Sequence, residues 1–128
     1  MISVAAALIL KNSTFLVAQR AKGELAGYWE FPGGRIEPGE TTEQAIVREI
    51  EEELVIQVAP TKIEGTFRHT YPFADVELTL VRCVMVDSDQ HIGSDGSHAS
   101  VRWITTQETS LKFAPLDEKI MTYLKGLK

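Results

Sequence analysis

The chain holds a single cysteine, Cys83, among its 128 residues, which excludes an internal disulfide and any cysteine-rich zinc site. Cys83 lies in the run Leu78–Val86, rich in β-forming residues, and reads as a buried structural thiol. Long apolar runs are missing as well: none approaches the ~20 residues that a membrane span requires. The apolar stretch Ile2–Leu10 has no basic segment before it and is too short for a signal peptide with its cleavage site, so it reads as a buried strand. Without disulfides, a reducing cytoplasm is the expected compartment. Lys and Arg form no run, and the 13 of them are outnumbered by 18 Asp and Glu, for a net charge of −5. That balance excludes the basic stripe with which proteins clamp a long polyanion, so duplex nucleic acid is not an expected partner. A small phosphorylated ligand stays open, because a bound divalent cation can supply positive charge locally.

What is present suits one globular domain over residues 1–128: 44% apolar and 24% charged residues, with no repeat, low-complexity tract or linker. Val4–Leu10 and Thr14–Gln19 read as two strands joined at Lys11-Asn12-Ser13, a hairpin signal. The segment from Gly23 to Gly39 is rich in Gly and Pro, with Tyr28, Trp29 and Phe31 among them, and reads as a structured loop. Thr41 followed three residues later by Gln44 fits a capping box, with Glu43 at the positive end of the helix dipole. Ile46, Val47, Ile50 and Leu54 recur at helical spacing. Val55–Ala59, Ile63–Arg68, Asp75–Val86 and Ala99–Ile104 look extended. Leu116–Leu127 repeats Ile120, Tyr123, Leu124 and Leu127 as an amphipathic helix. Strands, helix, strands, helix predicts a mixed α/β or α+β sandwich.

Glu49, Glu52 and Glu53 fall at i, i+3 and i+4, on one helix face opposite the apolar stripe, with Arg48 at its edge. Three carboxylates in one turn repel one another. They suit Mg²⁺ or Mn²⁺, which take carboxylate oxygens and keep several waters. A solvated acidic face is the alternative that the helix alone leaves open. Gly33-Gly34, just before the helix, permits close backbone approach to a metal or phosphate, and Glu40 can reach back to orient Arg48 or bind a second cation.

Gly34, five residues, Glu40, seven residues, then Arg48-Glu49-Ile50-Glu51-Glu52-Glu53-Leu54-Val55-Ile56 resembles the Nudix box, GX5EX7REUXEEXGU with U aliphatic. Every fixed position matches except the glycine after the paired glutamates, here Val55. Trp29-Glu30-Phe31-Pro32-Gly33-Gly34 resembles the approach to the box in MutT-like and CTP-pyrophosphohydrolase-like members.

The resemblance implies an α/β/α sandwich around a mixed sheet and hydrolysis of a nucleoside triphosphate to its monophosphate and pyrophosphate. It implies that Glu49, Glu52 and Glu53, with the carbonyl of Gly33, hold Mg²⁺, and that Arg48 pairs with a box glutamate. Two departures follow. Val55 stands where glycine eases the helix exit. Ser97 stands where many MutT-like members carry a glutamate that helps activate water, leaving Asp95 or a box glutamate for that role. By the same resemblance Arg20 contacts phosphate, with a surface arginine as its alternative, and Phe31 is among the substrate-binding residues, while Tyr71 and Phe73 either supply an aromatic wall by stacking or pack their loop. Asp117 contacts the base edge; a place at the N-cap or in the first turn of the last helix is its structural alternative. His69, His91 and His98 show no metal spacing and read as surface or supporting residues.

The expected partner is a small nucleotide, modified or pyrimidine, and the expected assembly a monomer or homodimer. Dinucleoside polyphosphate, ADP-ribose and capped RNA are the rival substrates. Chain length weighs against ADP-ribose and acidity against RNA. A catalytically silent nucleotide-binding module is the remaining rival, disfavoured because no box glutamate is lost.

Overall fold

The computed structural model of the chain describes residues 1–127. Strand β1 (Ile2–Lys11) turns into β2 (Thr14–Arg20) through Asn12 and Ser13, both with left-handed φ of 50° and 67°. Two left-handed residues match the right-handed twist of a tight hairpin, and Asn tolerates that region well. The hairpin expected at Lys11-Asn12-Ser13 is therefore present. The Gly/Pro-rich loop that follows contains two short strands, β3 (Trp29–Glu30) and β4 (Gly33–Arg35), which bond to β2 and β1 respectively.

After helix α1 (Thr42–Leu54) come β5 (Val58–Tyr71), β6 (Ala74–Met85), β7 (His98–Ile104) and helix α2 (Pro115–Lys125). The sheet runs β3-β2-β1-β6-β5, with β4 bonded to β1 and β7 to β2. Among the named strands of the described residues only β1 and β6 pair in parallel, from Ile2 opposite Val76 to Leu10 opposite Val84. Such a pair needs a long crossover, and α1 with β5 lies within it. The result is the expected α+β sandwich around a mixed sheet.

Strand alternation divides the interior in two. Ala6 and Leu8 join Phe15, Val17, Leu80, Ile120 and Met121 on the α2 side. Ala5, Ala7 and Ile9 join Ile46, Ile50, Leu54, Val81 and Cys83 on the α1 side. Cys83 is fully buried, and burial pushes its thiol up to about 12, as a structural thiol requires.

The structure corrects three boundaries. Val55–Ala59 and Ile63–Arg68 are not separate strands: Val55 caps the helix, and one long strand begins at Val58. Register shifts at Pro60/Lys62 and Ile63/Gly65 let β5 follow β6 despite its proline and glycine. Val47 leaves the apolar stripe and Leu127 falls beyond α2; both are exposed. No helix among the described residues is long and apolar enough to cross a membrane.

Candidate active site

Helix α1 begins where its capping box sets it. Thr41 Oγ1 accepts the Gln44 N–H at 3.1 Å, and Gln44 Oε1 accepts the Thr41 N–H at 2.8 Å. The buried stripe Ala45, Ile46, Ile50 and Leu54 then fixes the rotation of the helix against the sheet. That rotation turns Glu49 back onto the loop. A Cβ on Gly34 would stand 2.3 Å from Glu49 Oε2, and one on Gly33 would stand 2.0 Å from the Ala5 carbonyl oxygen. Gly33 is thus required by its close approach to the backbone of β1, while a side chain at Gly34 would displace the Glu49 carboxylate.

Arg48 locks loop to helix. Its Nε and Nη2 donate to Glu40 at 2.6 and 2.9 Å, Nη1 donates to Glu49 at 2.8 Å and Glu52 at 3.0 Å, and Nη2 also reaches the Arg35 carbonyl. The Arg48 fork and the Glu37 N–H hold Glu40 down to about 2. Glu40 therefore orients Arg48, one of its two expected roles.

Glu53 has the opposite environment. Its Oε1 is buried with no hydrogen-bond partner. Burial pushes its carboxyl up to about 9, reinforced by the charges of Glu49, Glu30 and Asp95. A crowded, unpartnered carboxylate signals missing positive charge. A divalent cation between Glu49 and Glu53, beside the Gly33 backbone, fits that donor set of hard oxygens. Glu52 is turned outward onto Arg48 and half exposed. Among the described residues no three acidic, imidazole or thiol groups converge as a ready ligand set. Completing one with Glu52 requires that side chain to leave Arg48.

Val55 does adopt the left-handed conformation that a β-branched residue disfavours, with φ 57° and ψ 36°. The loop before β7 closes the helix end around it: the Gly93 N–H donates to the Leu54 carbonyl at 2.7 Å and the Asp95 N–H to the Glu53 carbonyl at 3.1 Å. Ser97 donates from both Oγ and N–H to Asp95 Oδ1, at 2.6 and 2.9 Å, and so holds that carboxyl low.

Across the loop from the carboxylates opens a cavity of about 430 Å³, lined among others by Arg20, Glu30, Phe31, Tyr71, Phe73 and Asp117. Its size suits a nucleotide-sized ligand. Arg20 Nη1 donates to Glu30 Oε1 at 3.1 Å, while its Nε is buried and unpartnered. Asp117 sits in the first turn of α2, after Pro115 at the start, rather than at the N-cap, which is Ala114. It is buried, accepts the Phe31 N–H at 2.9 Å, and its carboxyl is pushed well up by burial and by Glu30.

The Phe31 ring belongs to the core, stacked between Phe15 and Phe113. Tyr71 is also mostly buried: its hydroxyl accepts the Leu116 N–H at 3.1 Å, and its ring stacks on exposed Phe73 at 4.9 Å. His69 packs edge-on against Tyr71 and His91 is exposed. His98 is buried, with Nε2 at 2.9 Å from Glu30 Oε2. Glu30 is the residue that sequence reasoning passed over; it joins Arg20, His98 and Asp117, and its only signal is its place in Trp29-Glu30-Phe31-Pro32.

Comparison with known proteins gives the family and the fold. A family model described as NUDIX domain matches residues 1–124. The chain is 52% identical over 58 residues to the CTP pyrophosphohydrolase of Escherichia coli K12, covering 44% of the chain and 43% of that protein. It is 39% identical over 69 residues to the 8-oxo-dGTP diphosphatase of Proteus vulgaris, covering 54% and 62%. The matched stretch thus spans less than two thirds of these curated relatives. The solution structure of the E. coli ORF135 protein superposes with a TM-score of 0.81 at 30% identity, over 98% of this chain and 91% of that one.

Proposed function

Because this chain belongs to the NUDIX domain family, we propose that it is a single-domain pyrophosphohydrolase over residues 1–128, which converts a nucleoside triphosphate to its monophosphate and pyrophosphate. The observation that carries the reading is Glu53 Oε1, buried and without a hydrogen-bond partner beside Glu49, whose carboxylate abuts Gly34 on the lining of a nucleotide-sized cavity. Glu49, Glu52, Glu53 and the Gly33 carbonyl hold a divalent cation, Mg²⁺ with Mn²⁺ as a substitute. Bound there, the cation would neutralise phosphate oxygens and favour ionisation of a water.

The chain's own residues divide the remaining work. Arg48 keeps Glu49 against the loop, so the carboxylates stay ordered before substrate arrives. Arg20 offers its free N–H groups to a phosphate. Tyr71 supports the aromatic wall, which Phe73 extends to the cavity rim. Phe31 contributes its backbone N–H, which fixes Asp117. Ionised, Asp117 accepts from an exocyclic amine; with its proton, which burial favours, it also donates, and either form suits a base edge that carries an amine. Modified or pyrimidine (deoxy)nucleotides are the substrates this favours, in keeping with relatives named for CTP and 8-oxo-dGTP. The partner is a small nucleotide and not duplex nucleic acid, the compartment the cytoplasm, and the protein a monomer or homodimer.

The test is a panel of CTP, dCTP, 8-oxo-dGTP, dATP and ADP-ribose with Mg²⁺, following pyrophosphate and phosphate release. Pyrophosphate is expected from at least one triphosphate, and Glu53→Gln is expected to lower kcat about a hundredfold or more. No turnover of any triphosphate would falsify the reading. A fully active Glu53→Gln would remove Glu53 from the metal set.

A further inference from the structure

Glu30 accepts from two side chains at once. Oε1 accepts from Arg20 and Oε2 from His98. A β-bulge makes this possible. Strands β2 and β7 pair Gln19 with Ser100, then Arg20 with His98, so Ala99 is the surplus residue. Residues opposite one another in an antiparallel ladder share a face. The bulge thus brings His98, rather than Ala99, to the side of Arg20, where Glu30 lies.

His98 does not reach the cavity; its side chain is 3% exposed. Its Nδ1 lies 3.4 Å from Ser97 Oγ, whose proton is already committed to Asp95 at 2.6 Å. The Glu30 carboxylate can only accept, so Nε2 carries the proton of this bond, while Nδ1 rests against Ser97 Oγ. The imidazole therefore ties Oε2 of Glu30 to the Ser97–Asp95 loop.

The consequence falls on Arg20. A carboxylate with both oxygens free closes a two-bond fork on a guanidinium. Here one oxygen is taken, Arg20 is held through Nη1, and its buried Nε has no partner. An unpartnered buried donor is unfavourable, and the side chain, 40% exposed, keeps its remaining donors at the cavity that it lines.

We propose that His98 is a positioning residue for the phosphate-binding arginine: by occupying one oxygen of Glu30, it stops Glu30 from closing a fork on Arg20 and leaves the other Arg20 donors for a phosphate. The inference rests on the cavity taking a phosphorylated ligand, as in the function proposed above, but not on turnover.

The probe is imidodiphosphate, a pyrophosphate analogue with a hydrolysis-resistant bridge, titrated calorimetrically in MgCl2 against wild type, His98→Leu and His98→Gln. Both variants fill the site, and only glutamine can donate to Glu30. Leucine should weaken binding about tenfold and glutamine less than about threefold, a difference of one charge-assisted bond. In an Arg20→Ala background, His98→Leu should cause no further loss. With a turned-over nucleotide, the leucine variant should raise KM more than it lowers kcat.

Equal weakening by leucine and glutamine, or a leucine effect that persists without Arg20, overturns the proposal. So does a wild type that fails to bind imidodiphosphate, whatever it hydrolyses. Absent turnover with His98-dependent binding would instead sink only the enzymatic reading. Should either variant fail to fold, His98→Ala against His98→Asn repeats the comparison.

Discussion

At Asp117 two requirements pull apart. Its Oδ1 accepts the Phe31 N–H, which favours the ionised form, yet the side chain is buried and faces Glu30, and these raise its pKa well above the usual carboxylate range. Folding therefore favours the protonated acid. The native state keeps a proton that the unfolded chain releases near pH 4, so stability falls as pH rises from there toward the folded-state pKa. Asp117→Asn retains an acceptor for Phe31 without the charge. It should match wild type near pH 3.5 and gain on it in melting temperature as pH rises above the unfolded-state value near 4. A melting difference that is flat with pH would mean that Asp117 ionises freely in the fold. The same variant should reorder preferences among the nucleotide panel more than it changes the best kcat, since asparagine has both donor and acceptor but cannot change between them. Glu30 and His98 show why this scale was only partly legible. Box positions announce themselves by spacing, whereas the Arg20–Glu30–His98 array depends on a bulge that shifts the β2/β7 register by one residue.

Among the elements, α1 is the most legible and its exit the least. Thr41, Gln44 and the stripe at Ile46, Ile50 and Leu54 define its start and rotation within the sequence itself, because capping and helical period are local properties. Strands β3 and β4 have two and three residues, too few to show a period, and the parallel β1–β6 pairing leaves no local trace. Val55 was legible as a departure but not as to its accommodation. It takes the left-handed cap that glycine ordinarily fills, and a Cβ on Gly93 would come within 2.9 Å of its Cγ2. A glycine lost from the helix end is thus matched by a glycine on the loop packed over it. Val55→Gly relieves a left-handed strain of about 1–2 kcal/mol but enlarges the unfolded ensemble by about 0.5–1 kcal/mol, a net gain near 1 kcal/mol. Gly93→Ala should destabilise the wild type and be largely tolerated beside Val55→Gly. Urea unfolding of the four proteins gives the coupling directly, and additive effects would show that the two residues do not share the space.

Over the whole molecule, the net charge of −5 understates the local imbalance. Glu30 from β3, Glu49 and Glu53 from α1, and Asp95 from the loop before β7 are brought together only by the tertiary fold; burial raises Glu53, and the charges of the other three add to it. Sequence revealed the two helical members through their spacing; Glu30 and Asp95 join them through sheet order and the docking of the loop on the end of α1. The repulsion is accordingly a property of the native state and nearly absent from the unfolded chain. A cation that binds this site and not the unfolded chain stabilises by RT ln(1 + [L]/Kd), about 2.7 kcal/mol at a hundred times Kd. For a domain of this size that is a rise of about 5–10 °C in melting temperature. Simple screening is much weaker for partly buried charges than for exposed ones. Millimolar MgCl2 added to chelator-treated protein should therefore raise Tm by several degrees more than NaCl of equal ionic strength, and Glu53→Gln should abolish most of that excess. The variant should also begin from a higher metal-free Tm at pH 8, because the wild type must take up a proton on folding at a carboxyl pushed up to about 9, and glutamine need not. Equal shifts from the two salts, or an unchanged magnesium response in the variant, would mean that the acidic convergence is only a screened surface and that the cation binds elsewhere.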